Sequence, residues 1–213
     1  MALVDAEYKF IWVDTGANGS AASDAQIWNA SELKETIEDG TIGLPAPDPL
    51  PGDDRPMPFF LIGDDAFALK PWMMKPFSRR CLTREERVFN YRLSRARRIV
   101  ENAFGILAQR FGCLLTKLRH NPQTVERIVL ACVCLHNIMR LRYPALQNAA
   151  LDQEDEEHNI IPGAWRDRTN LDEMNYARGG NFTSKAAKSQ RLYLKEYYNS
   201  PTGAVPWQDR MIA

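Results

Sequence analysis

Two carboxylates stand out by their surroundings. Asp64 follows the apolar run Phe59 to Ile62 in "FFLIGDD", which reads as a short buried strand, so the acid falls at the strand's carboxyl end. In open α/β sheets that rim is where sites form. Glu101 lies in "RARRIVENAFG", a stretch with helical spacing. Its own face carries Arg97 and Arg98 one turn before it, and Gly105 and Ala108 one and two turns after it. The small residues let this helix approach a sheet closely and aim Glu101 toward the strand end. Spacing equally allows a surface ion pair with Arg97, worth a few tenths of a kcal/mol. The residues alone leave both readings open.

A strand-end acid converging with a helix acid suits divalent metal chemistry on phosphodiesters. Mg²⁺ takes oxygen ligands from few carboxylates and leaves positions for phosphate and water. A pair of such ions can activate the attacking water and steady the leaving oxygen. A third carboxylate normally completes the cage, and no obvious one stands on a central strand. Asp65 should point away from Asp64 if the strand period persists.

The elements that must position these acids follow from pattern. Residues 1–14 alternate on either side of Asp5-Ala6-Glu7, which predicts a hairpin closed by Leu3–Val4 and Lys9–Asp14. "TGANGS" reads as a glycine-rich turn, and Ser23 or Asp24 caps a helix running to about Leu33, with Trp28 and Leu33 on its apolar positions. A proline-rich loop, "LPAPDPLPGDDRPMP", precedes the Asp64 strand, and "LKPWMMKPFS" reads as a turn-rich connection after it. Arg84 to Phe111 is expected as one long helix, with a break near Asn90 and a buried stripe of Val100, Phe104, Leu107 and Phe111. Val125 to Leu141 is a second apolar helix, expected to bury Ile128, Cys132, Leu135 and Met139. Beyond Tyr143, "LDQEDEEHN" carries five acids between Asp152 and Glu157 and reads as a solvated linker. A polar helix follows from Ser184 to Tyr198. The expected division is therefore 1–143, 144–183 and 184–213.

The net charge of the 213 residues is zero, so the total says nothing about nucleic acid. The distribution is uneven. From Ser78 to Arg119 there are eleven Lys/Arg against three acids. That is either a solvated helix face or a surface that follows phosphates. Four cysteines and an early Asp5 and Glu7 speak against a disulfide scaffold or a secretory leader, and no run suits a bilayer. An intracellular, reducing compartment is expected. Cys132-x-Cys134-x-His136 lacks a second ligand pair, so a buried thiol is the expected role of Cys132.

Taken together, "FLIGDDAFALKPWMMKPF", "REERVFNYRLSRARRIVENAFGILAQRFGCLL" and "VERIVLACVCLHNIMR" resemble the DDE nuclease domain of Harbinger-type transposases and of the antagonist-of-heterochromatin-like proteins. The resemblance runs from the first residues to about Tyr143. It implies an α/β, RNase H-like fold with a C-terminal extension, and a catalytic Asp, Asp, Glu set holding Mg²⁺ or Mn²⁺. Asp64 matches the second aspartate, in a Gly-Asp-x-Ala-[Phe/Tyr] pattern, and Glu101 the glutamate, in Arg-x-x-Val-Glu-x-x-Phe-Gly. Both are thereby expected as catalytic metal ligands, with Arg95, Arg97 and Arg98 contacting the DNA backbone. His136-Asn137 resembles a Leu-His-Asn signature, for which packing and hydrogen bonding are expected. The family's first aspartate sits in an Asp-Gly segment on a strand ahead of the hairpin, and no acid here matches it. Asp5 reads as a turn residue, Asp14 as a strand end and Asp24 as a helix cap. The fold is thus expected to be incomplete at the N-terminus, with its first strand missing and activity on DNA phosphodiesters impaired. The other reading is a catalytically inert protein of the same fold that binds DNA or chromatin. DNA is the implied partner, with a Myb-like protein beside it. The nucleus is the implied compartment, with the cytoplasm as the other. No membrane and no small-molecule substrate are expected.

Overall fold

The computed structural model describes residues 1–15, 24–78, 80–167 and 184–212. The stretch 16–23, which contains the expected glycine-rich turn and Ser23, lies outside them. The chain divides into two compact units. One comprises Met1–Ala22 with Arg98–Asn175, the other Ser23–Arg97 with Tyr176–Ala213.

The first unit opens with the expected hairpin. Strands β1 (Ala2–Val4) and β2 (Phe10–Val13) pair antiparallel. Asp5 makes the turn, its Oδ1 accepting from the Glu7 and Lys9 N–H groups. The hairpin packs on the C-terminal half of α3 (Arg84–Arg110) and on α4 (Pro122–Arg142) around Phe10, Ala103, Leu107, Cys132 and Val133. Pro at the first position of α4 and the Asn121 side chain, which accepts from the Thr124 N–H, start that helix in the way its sequence requires. Short helix α5 (Pro144–Asn148) and the two-residue strands β7 (Gln153–Glu154) and β8 (Ile160–Ile161) follow.

In the second unit, α1 (Asp24–Asn29) and α2 (Glu32–Glu38) replace the single expected helix. Ser31 divides them by capping α2, its Oγ accepting from the Lys34 N–H. Trp28 and Leu33 are buried as their spacing implies. Strands β3 (Asp48–Pro49) and β4 (Pro56–Met57) bracket the proline-rich turn. Strand β5 (Leu61–Ile62) runs parallel to β6 (Met73–Met74), a fully buried strand inside what reads as a turn-rich connection. The Phe59 to Ile62 run is less buried than expected: Phe59 is 46% exposed and Ile62 37%. Its apolar character serves one side only, since β5 pairs with a single neighbour. Helix α3 begins with Thr83 and Glu86 exchanging hydrogen bonds between side chains and backbone N–H groups, a capping box. It runs unbroken past Asn90, whose amide is used on the Phe77 backbone. Helix α6 (Lys185–Tyr198), capped by Ser184, buries Ala187 and Leu194 beside Met57, Leu69, Met74, Phe77, Phe89 and Leu93.

Each long helix buries part of its expected stripe: Leu107 and Cys132 are buried, and Phe111 and Ile128 pack against the core. On the C-terminal half of α3 the buried apolar residues are Ala103, Ile106, Leu107 and Ala108, while Phe104 is 38% exposed. On α4 the buried residues are Cys132, Val133, His136 and Arg140, while Leu135 is 49% exposed. The apolar residues of each stretch span more than half the helix circumference, so spacing could not choose among them. Among the described residues the strands form four two-stranded ladders, and no helix is long and apolar enough to cross a membrane.

Candidate functional site

Asp64 stands where its sequence put it, two residues past β5. Its Oδ1 accepts from the Ala66 N–H at 2.8 Å, an Asx turn that leaves the second oxygen available. Gly63 is required just before it, because a Cβ there would lie 2.8 Å from the Phe67 ring and 3.0 Å from the Met73 sulfur. Asp65 points elsewhere, as strand alternation implies, and pairs with Lys75 at 3.2 Å. Helix α1 packs against this turn through Trp28, whose ring meets those of Phe67 and Trp72 at 5.9 and 5.8 Å. Asp24, one turn before Trp28 on α1, is thereby brought toward Asp64. Burial, and then the Asp64 charge, push the Asp24 carboxyl above its usual range. Two acids of one unit thus share one neighbourhood, and Asp24 is more than the helix cap its sequence suggests.

Glu101 belongs to the other unit, on α3. The row of α3 beside it, formed by Arg98, Asn102, Gly105 and Gln109, meets the short strand β7 only through Arg98. It meets the segment from Asp152 to Arg166. The Trp165 indole N–H donates to Asn102 Oδ1 at 2.7 Å, and the Gln109 amide donates to the Ala164 carbonyl at 3.0 Å. A Cβ on Gly105 would fall 2.2 Å from the indole, so this glycine exists for Trp165 rather than for a sheet. Arg98 pairs with Glu154 at 3.5 Å. The Asp152 side chain, with no exposed surface, accepts from the Arg166 Nε and Nη2 at 2.9 and 2.6 Å and from the Gly163 N–H at 2.9 Å. Burial pushes its carboxyl up, and these hydrogen bonds outweigh that and hold it below the usual range. The expected solvated linker is in this part a folded strap. Trp165 and Gly163, just past the acidic run, were the signal for it.

The remaining expected residues are placed as follows. Arg95 lies over the Trp207 ring at 5.3 Å. Arg97 is half-buried at the end of the second unit's share of α3. His136 and Asn137 take the structural role expected of them. His136 is fully buried, its Nε2 2.7 Å from the Tyr8 carbonyl. Asn137 both accepts from the Phe10 N–H (2.9 Å) and donates to the Phe10 carbonyl (2.8 Å), standing in for a neighbouring strand. Arg140 extends the clamp, donating to the Glu7 carbonyl and covering the Tyr8 ring. Cys132 is buried and Cys134 exposed, so the two do not share a site.

Among the described residues no three His, Cys, Asp or Glu side chains converge tightly enough to hold a metal ion. Asp64 and Glu101 offer carboxylate oxygens only, a donor type suited to Mg²⁺ or Mn²⁺ rather than to softer metals.

Comparison with known proteins agrees with these features. The family described as "DDE superfamily endonuclease" matches residues 1–137, which contain Asp64 and Glu101. "Putative nuclease HARBI1" of Homo sapiens is 35% identical over 82 residues, covering 37% of this chain and 23% of that protein. Its Xenopus laevis counterpart is 28% identical over 145 residues, covering 65% and 36%. "Protein ALP1-like" of Arabidopsis thaliana is 27% identical over 146 residues, covering 65% and 34%. The chain therefore spans between about a quarter and a third of these relatives' length. No solved structure matches. Endonucleases of this superfamily generally use divalent metals. With the match extending over most of the chain and the relatives being Harbinger-derived nucleases, this protein belongs to the DDE superfamily of endonucleases.

Proposed function

We propose that the chain supplies part of an RNase H-like, divalent-metal-dependent nuclease centre acting on DNA phosphodiester bonds. Asp64 and Glu101 are its metal ligands. The family match across residues 1–137 carries this reading, because it contains both acids in the sequence contexts expected of them. Bound Mg²⁺ or Mn²⁺ would supply a Lewis acid and an activated water. The chain's own residues orient and exclude. The Asx turn fixes one Asp64 oxygen on the Ala66 N–H and presents the other. The basic run of α3 with Arg95, Arg97 and Arg98 attracts the DNA backbone without reading sequence. A nuclear location and a Myb-like partner for target choice fit this use.

A second reading is favoured by one observation. Among the described residues no three ligating side chains gather, so these 213 residues alone would be a weak catalyst that keeps DNA or chromatin contacts. Nicking of supercoiled plasmid in Mn²⁺ separates the two. Activity lost in both Asp64→Asn and Glu101→Gln supports the nuclease. DNA binding without nicking, unchanged by either substitution, supports the inert binder.

A further inference from the structure

Helix α4 carries its polarity inside out. Toward the hairpin it turns His136, Arg140 and Asn137, which hold the backbone at Tyr8, Glu7 and Phe10. Outward it turns Leu130, Leu135, Ile138 and Leu141, which are 43, 49, 45 and 69% exposed, together with exposed Ala131 and Cys134. A helix that is apolar beyond the side it packs has a second side to cover. One row crosses this outer face at steps of four residues and reads Glu126, Leu130, Cys134, Ile138, Arg142. Its chemistry is palindromic: an acid at one end, a base at the other, apolar residues between, and a small residue at the centre. Neither Glu126 nor Arg142 has an ion pair among the described residues.

We propose that a second copy of the chain covers this face, its α4 lying antiparallel across the first about a two-fold axis at Cys134. In that register each residue meets the partner residue equally far from Cys134 on the other side. Leu130 meets the partner's Ile138, and Glu126 meets the partner's Arg142. By symmetry each pairing occurs twice. Charge selects this direction, because a parallel pair would set Glu126 beside the partner's Glu126 and Arg142 beside the partner's Arg142. Ala131 and Cys134 are small enough to let the two helices approach closely where they cross. A single helix face is smaller than a standard protein interface, so the dimer is a weak one that forms at micromolar concentrations.

The test is sedimentation velocity of the whole chain between about 1 and 100 µM, the range in which so small an interface would associate. The sedimentation coefficient should rise with concentration toward that of two chains, and Ile138→Asp should leave a monomer throughout. Glu126→Arg and Arg142→Glu should each weaken association about tenfold, because each sets like charges together at both ends. Glu126→Arg/Arg142→Glu should bring it back to near the parent level, a recovery that misfolding cannot imitate. In a Cys81→Ser/Cys113→Ser background Cys134 is the exposed thiol that remains. A short bis-maleimide should cross-link that chain into dimers, and adding Cys134→Ser should abolish them. A chain that stays monomeric at about 100 µM overturns the second copy. A dimer indifferent to Ile138→Asp, or one weakened by both charge reversals and not recovered in the double variant, overturns the antiparallel seat.

Discussion

Trp165 donates its indole N–H to the side-chain carbonyl of Asn102 over 2.7 Å, with its ring seated on Gly105. One buried hydrogen bond and one missing methyl group thus attach a segment past residue 150 to the helix turn that carries Glu101.

That seat predicts the outcome of filling it. Gly105→Ala forces a Cβ into the base of the indole rather than into a mobile side-chain tip. The strap or the helix must shift, at a cost of about 1–3 kcal/mol. Urea unfolding should show the loss, and Trp165→Ala/Gly105→Ala should lose less than the two single changes added together. Additive losses would mean that the pair does not touch.

Asn137 replaces a strand partner for Phe10, so its removal is costly twice. Asn137→Ala deletes two hydrogen bonds and leaves the Phe10 N–H and carbonyl without them, worth about 2–4 kcal/mol. Amide exchange at Phe10 should speed up together with the fall in the unfolding midpoint. A protected Phe10 amide in this variant would contradict the clamp.

His136 gives the stability a pH dependence. Burial holds its imidazole below the ordinary value of 6.5 despite the Tyr8 carbonyl, with the Arg140 and Arg110 charges acting in the same direction as burial. The unfolded chain therefore takes up a proton that the folded chain refuses. This contribution is fully present above pH 6.5 and is lost as pH falls through that value toward the folded pKa. Stability measured between about pH 5 and 7 should slope upward with pH, and His136→Gln should flatten that slope. A slope unaltered by the substitution would refute it.

Asp24 acts in the opposite sense. Its carboxyl is raised in the fold, first by burial and then by Asp64, so the contribution is favourable at low pH and is lost as pH rises through the folded pKa. Asp24→Asn should add up to about 1 kcal/mol of stability at pH 7 and none at pH 3. Thermal melts at the two pH values decide this, and a gain at pH 3 equal to that at pH 7 would rule out the charge explanation.

The amino-acid order by itself determined the local shapes around the two candidate acids. Asp64 at a strand end, Asp65 turned away, the Asp5 turn and the Asn121 cap are short-range consequences of residue type and spacing. Each depends on backbone geometry over a few residues, which the sequence states directly. Tertiary structure decided the rest. Where apolar residues encircle α3 and α4, only the packed partners choose which face is buried, so Leu135 is half exposed while Phe104 keeps one ring contact, to Phe10. Only the fold brings Trp28 to Phe67 and Trp72, Trp165 to Gly105 and Asn137 to Phe10. Contacts between residues about sixty positions apart leave no periodic trace, because the energy that selects them comes from shape and charge complementarity formed after the local elements exist.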